Sequence, residues 1–323
     1  MKNDCSVLRT PAIAACRDFH KKLRQKRDDY MKYLEKHPLY MIILGVLGIS
    51  SSAIVVKYSN APSLITAAYR LIWTVALMSP VVLGRKDFRL ELFAVSKKNL
   101  IYCAISGILL ALHFTLWFES LNHTTVASST VIVCTESIWV ALGYFFVMKG
   151  HISKKAALGI AITFLGSLLI ALSDYGKGSG HLSGDVLALL AAVAVAGYTL
   201  LGGIVRTNTS TTVYTYLVYL SCTLTLIIAA LVTSTPLWGY GSQSVWVGLL
   251  LSIFSTLLGH SIFSWCLKYL SPAFVSTSKL CEPIVAALFA AILFGEIPTF
   301  FQILGGAVIL GGVLYYSRVE QNK

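Results

Sequence analysis

Charge is scarce in this chain. Only 12% of its 323 residues are Asp, Glu, Lys or Arg, and acidic residues number 14. Soluble domains run near 25% charged, so two water-exposed domains, which the length alone would allow, are excluded. The seven cysteines are odd in number and five sit in apolar stretches. No C-x-x-C pair occurs, so neither a disulfide framework nor a zinc site is indicated, and small packing roles are expected. The chain has no G-x-x-x-x-G-K-S/T and no soluble stretch large enough for a nucleotide-hydrolysing domain. It also lacks H-E-x-x-H and G-x-S-x-G, the common signatures of a metallohydrolase or serine hydrolase. Nothing calls for a cofactor or a metal. No apolar run of sufficient length lies ahead of residue 39, so the first residues do not read as a secretory signal.

What the chain has is apolar length. Its hydrophobic fraction is 56% and its mean hydropathy +0.74. A helix crossing a bilayer needs about 20 apolar residues, and ten such blocks can be read: 39–57, 62–83, 99–120, 126–148, 154–173, 184–205, 212–233, 245–268, 273–294 and 298–316. Pro38, Pro62, Gly84, Gly150, Pro272 and Pro298 punctuate the joints. The reading is an all-α membrane protein with ten transmembrane helices in two inverted five-helix repeats. Residues 1–38 form a basic cytoplasmic segment, 39–173 and 184–316 the repeats, and 317–323 a cytoplasmic tail.

The net charge of +12 would suit nucleic acid were it not for its placement. With a cytoplasmic N-terminus, twenty-two of the 26 Lys and Arg fall in inside segments and only Lys57 and Lys177 outside. The remaining two, Arg70 and Lys279, lie within spans. This is the positive-inside pattern, which places both termini in the cytoplasm of a multi-pass cell-membrane protein and argues against a nucleic-acid partner. The stretch Arg17–Lys36 is basic, with Phe19, Leu23, Tyr30 and Leu34 on one narrow helical face. It reads either as a helix on the anionic inner leaflet or as a solvated tail that reinforces topology.

The two halves repeat. Ala127–Leu168 aligns with Ala273–Leu314 at a constant offset of 146, matching Glu136 to Glu282, Gly159 to Gly305 and Gly166 to Gly312. Five spans per copy reverse the second copy, so the repeats lie antiparallel in the bilayer. Inverted repeats are typical of secondary transporters, which bind substrate near the midplane where the repeats meet.

Ionisable groups in a span face the bundle interior or a water-filled path. The candidates for the substrate path are Arg70, His113, Glu136, His260, Lys279 and Glu282. Glu136 and Glu282 fall near mid-span, one in each repeat, and His113 and His260 occupy approximate mirror positions. Pro283 removes a backbone donor beside Glu282 and is expected to kink that helix; its counterpart Ser137 is expected to perturb span 4 less. A purely structural reading stands beside this one. Two positive and two negative charges sum to zero and can lock helices as ion pairs, with Lys279 and Glu282, three residues apart, sharing a face. The paired glycines are expected to permit close helix packing.

Several motifs together resemble one family. These are Ala67-Ala-Tyr-Arg70, Leu121-Asn-His-Thr-Thr-Val-Ala127, Tyr269-Leu-Ser-Pro-Ala273, Glu282-Pro283 and Phe294-Gly-Glu-Ile297. On these the chain, over about residues 39–316, resembles the drug/metabolite transporter superfamily, EamA type. The resemblance implies a basket of helices around a central cavity, with the fifth helix of each repeat at the periphery. It also implies movement of small metabolites, commonly amino acids or related compounds and often outward. The first repeat departs from the family pattern at Ser137 and at Lys149-Gly150. The expected partners are a small-molecule substrate and the lipid bilayer, with the chain a monomer or weak homodimer. The rival readings are a membrane-embedded enzyme or a sensor; the former would need a nucleophile with its base, or a metal cluster, converging in the bilayer.

Overall fold

The computed structural model describes Glu35, residues 37–124, 126–174, 182–294 and 299–321. Apart from Glu35, the basic stretch expected to lie on the inner leaflet falls outside the described residues. The described elements are helical, with no strand among them.

In chain order they are α1 (Pro38–Ser50), a short α2 (Ser52–Val55), α3 (Ser63–Gly84), α4 (Lys86–Ala94), α5 (Lys97–His123), α6 (Val126–Cys134), α7 (Glu136–Phe146) and α8 (Lys154–Asp174). The second half holds α9 (Leu182–Val205), α10 (Thr211–Val232) and α11 (Gly241–Leu250). A π-helical run, Leu251–His260, follows α11 and leads into α12 (Ser261–Cys266). Next come α13 (Pro272–Ser278), a 3-10 turn at Lys279–Cys281, α14 (Glu282–Phe294) and α15 (Phe300–Gln321). Among the described residues, six helices are long and apolar enough to cross a membrane: α3, α5, α9, α10, the continuous Gly241–Cys266 stretch, and α15 over Ile303–Glu320. Three of the other expected spans are interrupted, at Ser51, at Thr135 and at Lys279–Cys281. Each piece is then shorter than the roughly 20 residues that a crossing needs.

The break in the first repeat corrects the expectation that Ser137 would perturb span 4 only mildly. Thr135 Oγ1 donates to the carbonyl of Ile132 at 2.6 Å, and Ser137 Oγ donates to that of Cys134 at 3.1 Å. These local bonds offer the carbonyls an alternative to the regular helical ladder. Thr135 therefore ends one helix and Glu136 begins the next without any proline. In the second repeat the 3-10 turn lies ahead of Glu282, and Pro283 is the second residue of α14, where a missing N–H costs no helical bond.

The π-helical run has no proline or glycine cause in its first half. Thr256 Oγ1 and Ser261 Oγ each donate to a carbonyl five residues back, at 3.3 and 3.1 Å. Such widened turns are frequent at functional sites.

The outer surface is largely apolar, while buried hydroxyls and ionisable groups share the interior with apolar side chains. Ile43, Leu77, Ile101, Phe146, Leu231 and Leu314 are exposed, whereas Thr66, Thr74, Ser106, Ser252, Ser255 and Thr277 are buried. The main apolar core gathers Phe114, Trp117, Tyr198, Tyr214 and Tyr219 where α5, α9 and α10 meet. Arg206, just beyond α9, is buried. Its guanidinium donates to the carbonyls of Ser264 and Thr209, tying the end of α9 to α12.

α8 and α15 pack against each other through the repeated glycines. A Cβ on Gly166 would lie 2.8 Å from the carbonyl oxygen of Gly305, and one on Gly312 would lie 2.8 Å from the backbone nitrogen of Thr163. Close backbone approach of this kind needs small residues. Gly166→Leu is predicted to lower stability by about 1–3 kcal/mol, the usual cost of overpacking. Thermal unfolding in detergent measures this, and an unchanged midpoint would rule out the tight α8–α15 contact.

Candidate functional site

A cavity of about 40 Å³ lies between the two sequence repeats. α1, α2, α5, α6 and α7 line it from the first repeat; α9, the π-helical run, the 3-10 turn and α14 line it from the second. Five of the six predicted path residues stand on its wall: His113, Glu136, His260, Lys279 and Glu282. A buried water needs on the order of 10–15 Å³ of such space. The cavity therefore has room for a few waters. A larger cleft of about 680 Å³, lined by Glu35, Pro38, Tyr269, Phe274 and Glu320, holds none of the predicted site residues.

The breaks place the charges. Glu136 is the first residue of α7, just beyond the Thr135 turn, and Lys279 opens the 3-10 turn ahead of Glu282. Lys279 Nζ lies 2.6 Å from Glu136 Oε1, with both side chains about nine-tenths buried. Thr199 Oγ1 on α9 donates to the same carboxylate oxygen at 3.4 Å. The structural alternative of a Lys279–Glu282 pair along one helix is not what forms: Lys279 pairs with Glu136 across the repeat boundary. The long lysine side chain reaches the facing helix, and the pair joins residues 143 positions apart.

Arg70 differs from the other five residues. It is fully buried, but no carboxylate among the described residues lies within ion-pairing distance of its guanidinium. Nε donates to Thr256 Oγ1 at 2.7 Å, Nη2 to Ser255 Oγ at 2.9 Å and Nη1 to Ser52 Oγ at 3.4 Å. Its carbon sits 4.0 Å from the centre of the Phe114 ring, a cation–π contact. Ser52 and Ser255 line the cavity, so Arg70 stands one hydroxyl behind its wall. The hydroxyl partners carried no sequence signal, because serines and threonines occur in most of these helices.

The histidines that the sequence placed at mirror positions do meet. Their ring centres are 6.4 Å apart. His113 Nδ1 is 3.0 Å from the carbonyl oxygen of Ala191. A carbonyl can only accept, so Nδ1 carries the proton and Nε2 is left as an acceptor. The indole of Trp117 stacks on His113, with ring centres 6.1 Å apart and planes 10° from parallel. Trp117 Nε1 and His260 Nδ1 are buried and have no hydrogen-bond partner among the described residues. Glu282 takes part in no ion pair among them either, although Ser50 Oγ approaches its backbone carbonyl at 3.4 Å. The lining residues therefore include one neutralised ion pair and one carboxylate with no ion-pair partner among the described residues, while the two unpartnered ring nitrogens are themselves fully enclosed.

Known proteins add a family to this geometry. The EamA-like transporter family matches residues 38–172 and again residues 182–318. An uncharacterized transporter of Archaeoglobus fulgidus is 26% identical over 224 residues, covering 68% of this chain and 75% of its own length. One from Clostridium kluyveri is 24% identical over 287 residues, covering 86% and 91%. The uncharacterized transporter YxxF of Bacillus subtilis is 25% identical over 292 residues, covering 89% and 90%. A crystal structure described only as that of a protein superposes with a TM-score of 0.72 over 89% of this chain and 98% of its own. At 15% identity that likeness concerns the fold alone. Two copies of the family pattern, covering most of a helical, multi-pass membrane protein, leave one assignment: the chain belongs to the EamA-like transporter family.

Proposed function

We propose that the protein is a secondary transporter of small metabolites such as amino acids or related compounds, and that it exports them across the cell membrane. In this reading ten spans form two inverted repeats, both termini are cytoplasmic, and access alternates as the repeats rock about the cavity. The observation that carries it is the cavity itself, whose ionisable residues come from both repeats and whose Glu136–Lys279 pair bridges the boundary between them. A site on that boundary can be uncovered from either side by relative motion of the halves. The relatives' names support transport and say nothing of substrate.

Flux into proteoliposomes tests the activity. Solute recovered unchanged inside the vesicles supports transport, and a chemically altered product would favour the enzyme reading. Topology is tested separately. A reporter fused after Lys323 is predicted to read cytoplasmic and one inserted between Gly178 and Gly180 external; the opposite result would remove the inverted-repeat argument.

A further inference from the structure

α4 joins two long apolar helices and is itself too short to cross a bilayer. α3 ends at Gly84 and α5 begins at Lys97, and both have the length and composition of a span. The nine residues of α4 carry two unlike faces. Phe88, Glu91 and Leu92 are half-buried, and Glu91 Oε1 accepts the backbone N–H of Ser210 at 2.6 Å. That bond pins α4 to the start of α10 and commits its central acid to the protein. The opposite face holds Lys86, Arg89, Leu90 and Phe93, neighbours at spacings of three and four. All four are exposed, Leu90 by 60% and Phe93 by 81%. Lys97 and Lys98, in the first turn of α5, are exposed as well. The helix dipole disfavours cations there, so helix stability does not account for them. Arg85 pairs with Asp87 at 2.6 Å. Lys86, Arg89, Lys97 and Lys98 take part in no ion pair among the described residues, although Arg89 Nη1 reaches the carbonyl of Leu83 at 3.4 Å.

We propose that this outer face of α4, together with Lys97 and Lys98, docks on the headgroups of anionic phospholipids at the membrane surface. Continuity identifies the bilayer as the occupant. Exposed apolar side chains of α3 extend to Val81 and Leu83, those of α5 resume at Leu100 and Ile101, and Leu90 and Phe93 lie in the chain between them. The chain leaves the hydrocarbon and re-enters it across this segment, so α4 is tethered at both ends to the height of the interface. A helix lying there sinks its apolar side chains to the boundary of headgroup and acyl chain while its cations reach the phosphates. Lysine and arginine have stems long enough to do so from the same face. The sign of the lipid follows from charge. The face presents cations without a carboxylate among them, and Lys97 and Lys98 add two more. The positive-inside pattern asks only for cations in this segment; it gives no reason for Leu90 and Phe93 to share their face. In the proposed topology the face lies on the cytoplasmic side, where anionic lipids make the surface potential negative. The inference is independent of what the cavity carries.

The test uses the full-length protein in two kinds of nanodisc, one of phosphatidylcholine alone and one of phosphatidylcholine with phosphatidylglycerol. Amide hydrogen exchange is read over residues 86–94. In wild type it is expected to be about tenfold or more slower in the anionic discs, because each cation near an anionic surface is worth about a fivefold preference. Lys86→Gln with Arg89→Gln is expected to bring the two discs within about twofold of each other. Leu90→Gln with Phe93→Gln keeps every charge and is expected to speed exchange in both discs, with protection in α3 and α5 unchanged. Thermal midpoints check the folding of each variant. Should the first pair of changes prevent folding or insertion, Lys97→Gln with Lys98→Gln is expected to shrink the difference in the same direction. Equal exchange in the two wild-type discs, or a difference that survives the loss of the cations, would overturn the docking. Exchange unaffected by the Leu90 and Phe93 changes would show that α4 does not lie in the interface. Slowing of wild type by inorganic phosphate in phosphatidylcholine discs would assign the cations to a free anion instead. A dimer that dissociates in the Leu90 and Phe93 variant would assign the face to a second copy of the chain.

Discussion

Glu282→Gln is predicted to reduce flux by about 10–100-fold, the equivalent of one charge-assisted hydrogen bond to a ligand, without lowering the thermal stability of the protein. The second half of this expectation follows from the geometry. A carboxylate that anchors helices is missed when it is neutralised, but Glu282 holds no ion pair among the described residues while lining the cavity. Removing its charge also relieves the proximity of Glu136, whose own charge is already committed to Lys279. Stability unchanged with flux lost assigns Glu282 to the solute. Flux unchanged with stability lost would assign it to the scaffold and would end its candidacy as a binding residue.

The pair between Glu136 and Lys279 is predicted to behave in the opposite way. Either single change, Lys279→Met or Glu136→Leu, strands a charge in the interior and is expected to cost about 3–5 kcal/mol. Replacing both with apolar groups is often neutral in other buried pairs. The double variant Lys279→Met with Glu136→Leu is therefore expected to regain stability to within about 1 kcal/mol of wild type, and to regain substrate binding with it. Arg70 and Glu282 remain in that variant, so the cavity stays neutral overall. A double variant as stable as wild type but without binding would show that the pair contacts the solute directly. The earlier alternative, a pair within one helix, would have called for Lys279 and Glu282 to be changed together. The cross-repeat contact makes Glu136 the partner to replace.

Much of the architecture was legible because membranes impose simple rules. A long apolar block has to form a helix to satisfy its backbone without water, and most described residues of the expected blocks are helical, although three blocks are interrupted. The repeat was legible because Glu136 and Glu282 share one offset with the glycine pairs. Close packing at those glycines follows from a missing side chain, and α8 and α15 do approach through them. The candidate site was partly legible for a related reason. An ionisable residue in a span is costly enough to need a cavity or a partner, and five of the six candidates reached the cavity wall.

What the sequence could not decide was partnership. Arg70, Lys279, Glu136 and Glu282 admit several pairings of equal formal charge, and only the tertiary structure chose among them. It sent Lys279 across the repeat boundary and gave Arg70 to Thr256, Ser255 and Ser52. The reason is geometric. Periodicity tells which residues share a helix face, but side-chain reach between helices depends on where each helix breaks. The breaks at Thr135 and Lys279–Cys281, and the π-helical run that presents Ser255 and Thr256, arise from local hydroxyl bonding or turn tightening that leaves little mark on hydropathy. By itself the amino-acid order determined a helical multi-pass membrane protein in which one pattern occurs twice, with ionisable residues inside its apolar blocks. Which charges pair, and which carboxylate has no ion-pair partner among the described residues, was settled by the packing of those repeats, because ion pairing acts over a few ångströms that no spacing along the chain specifies.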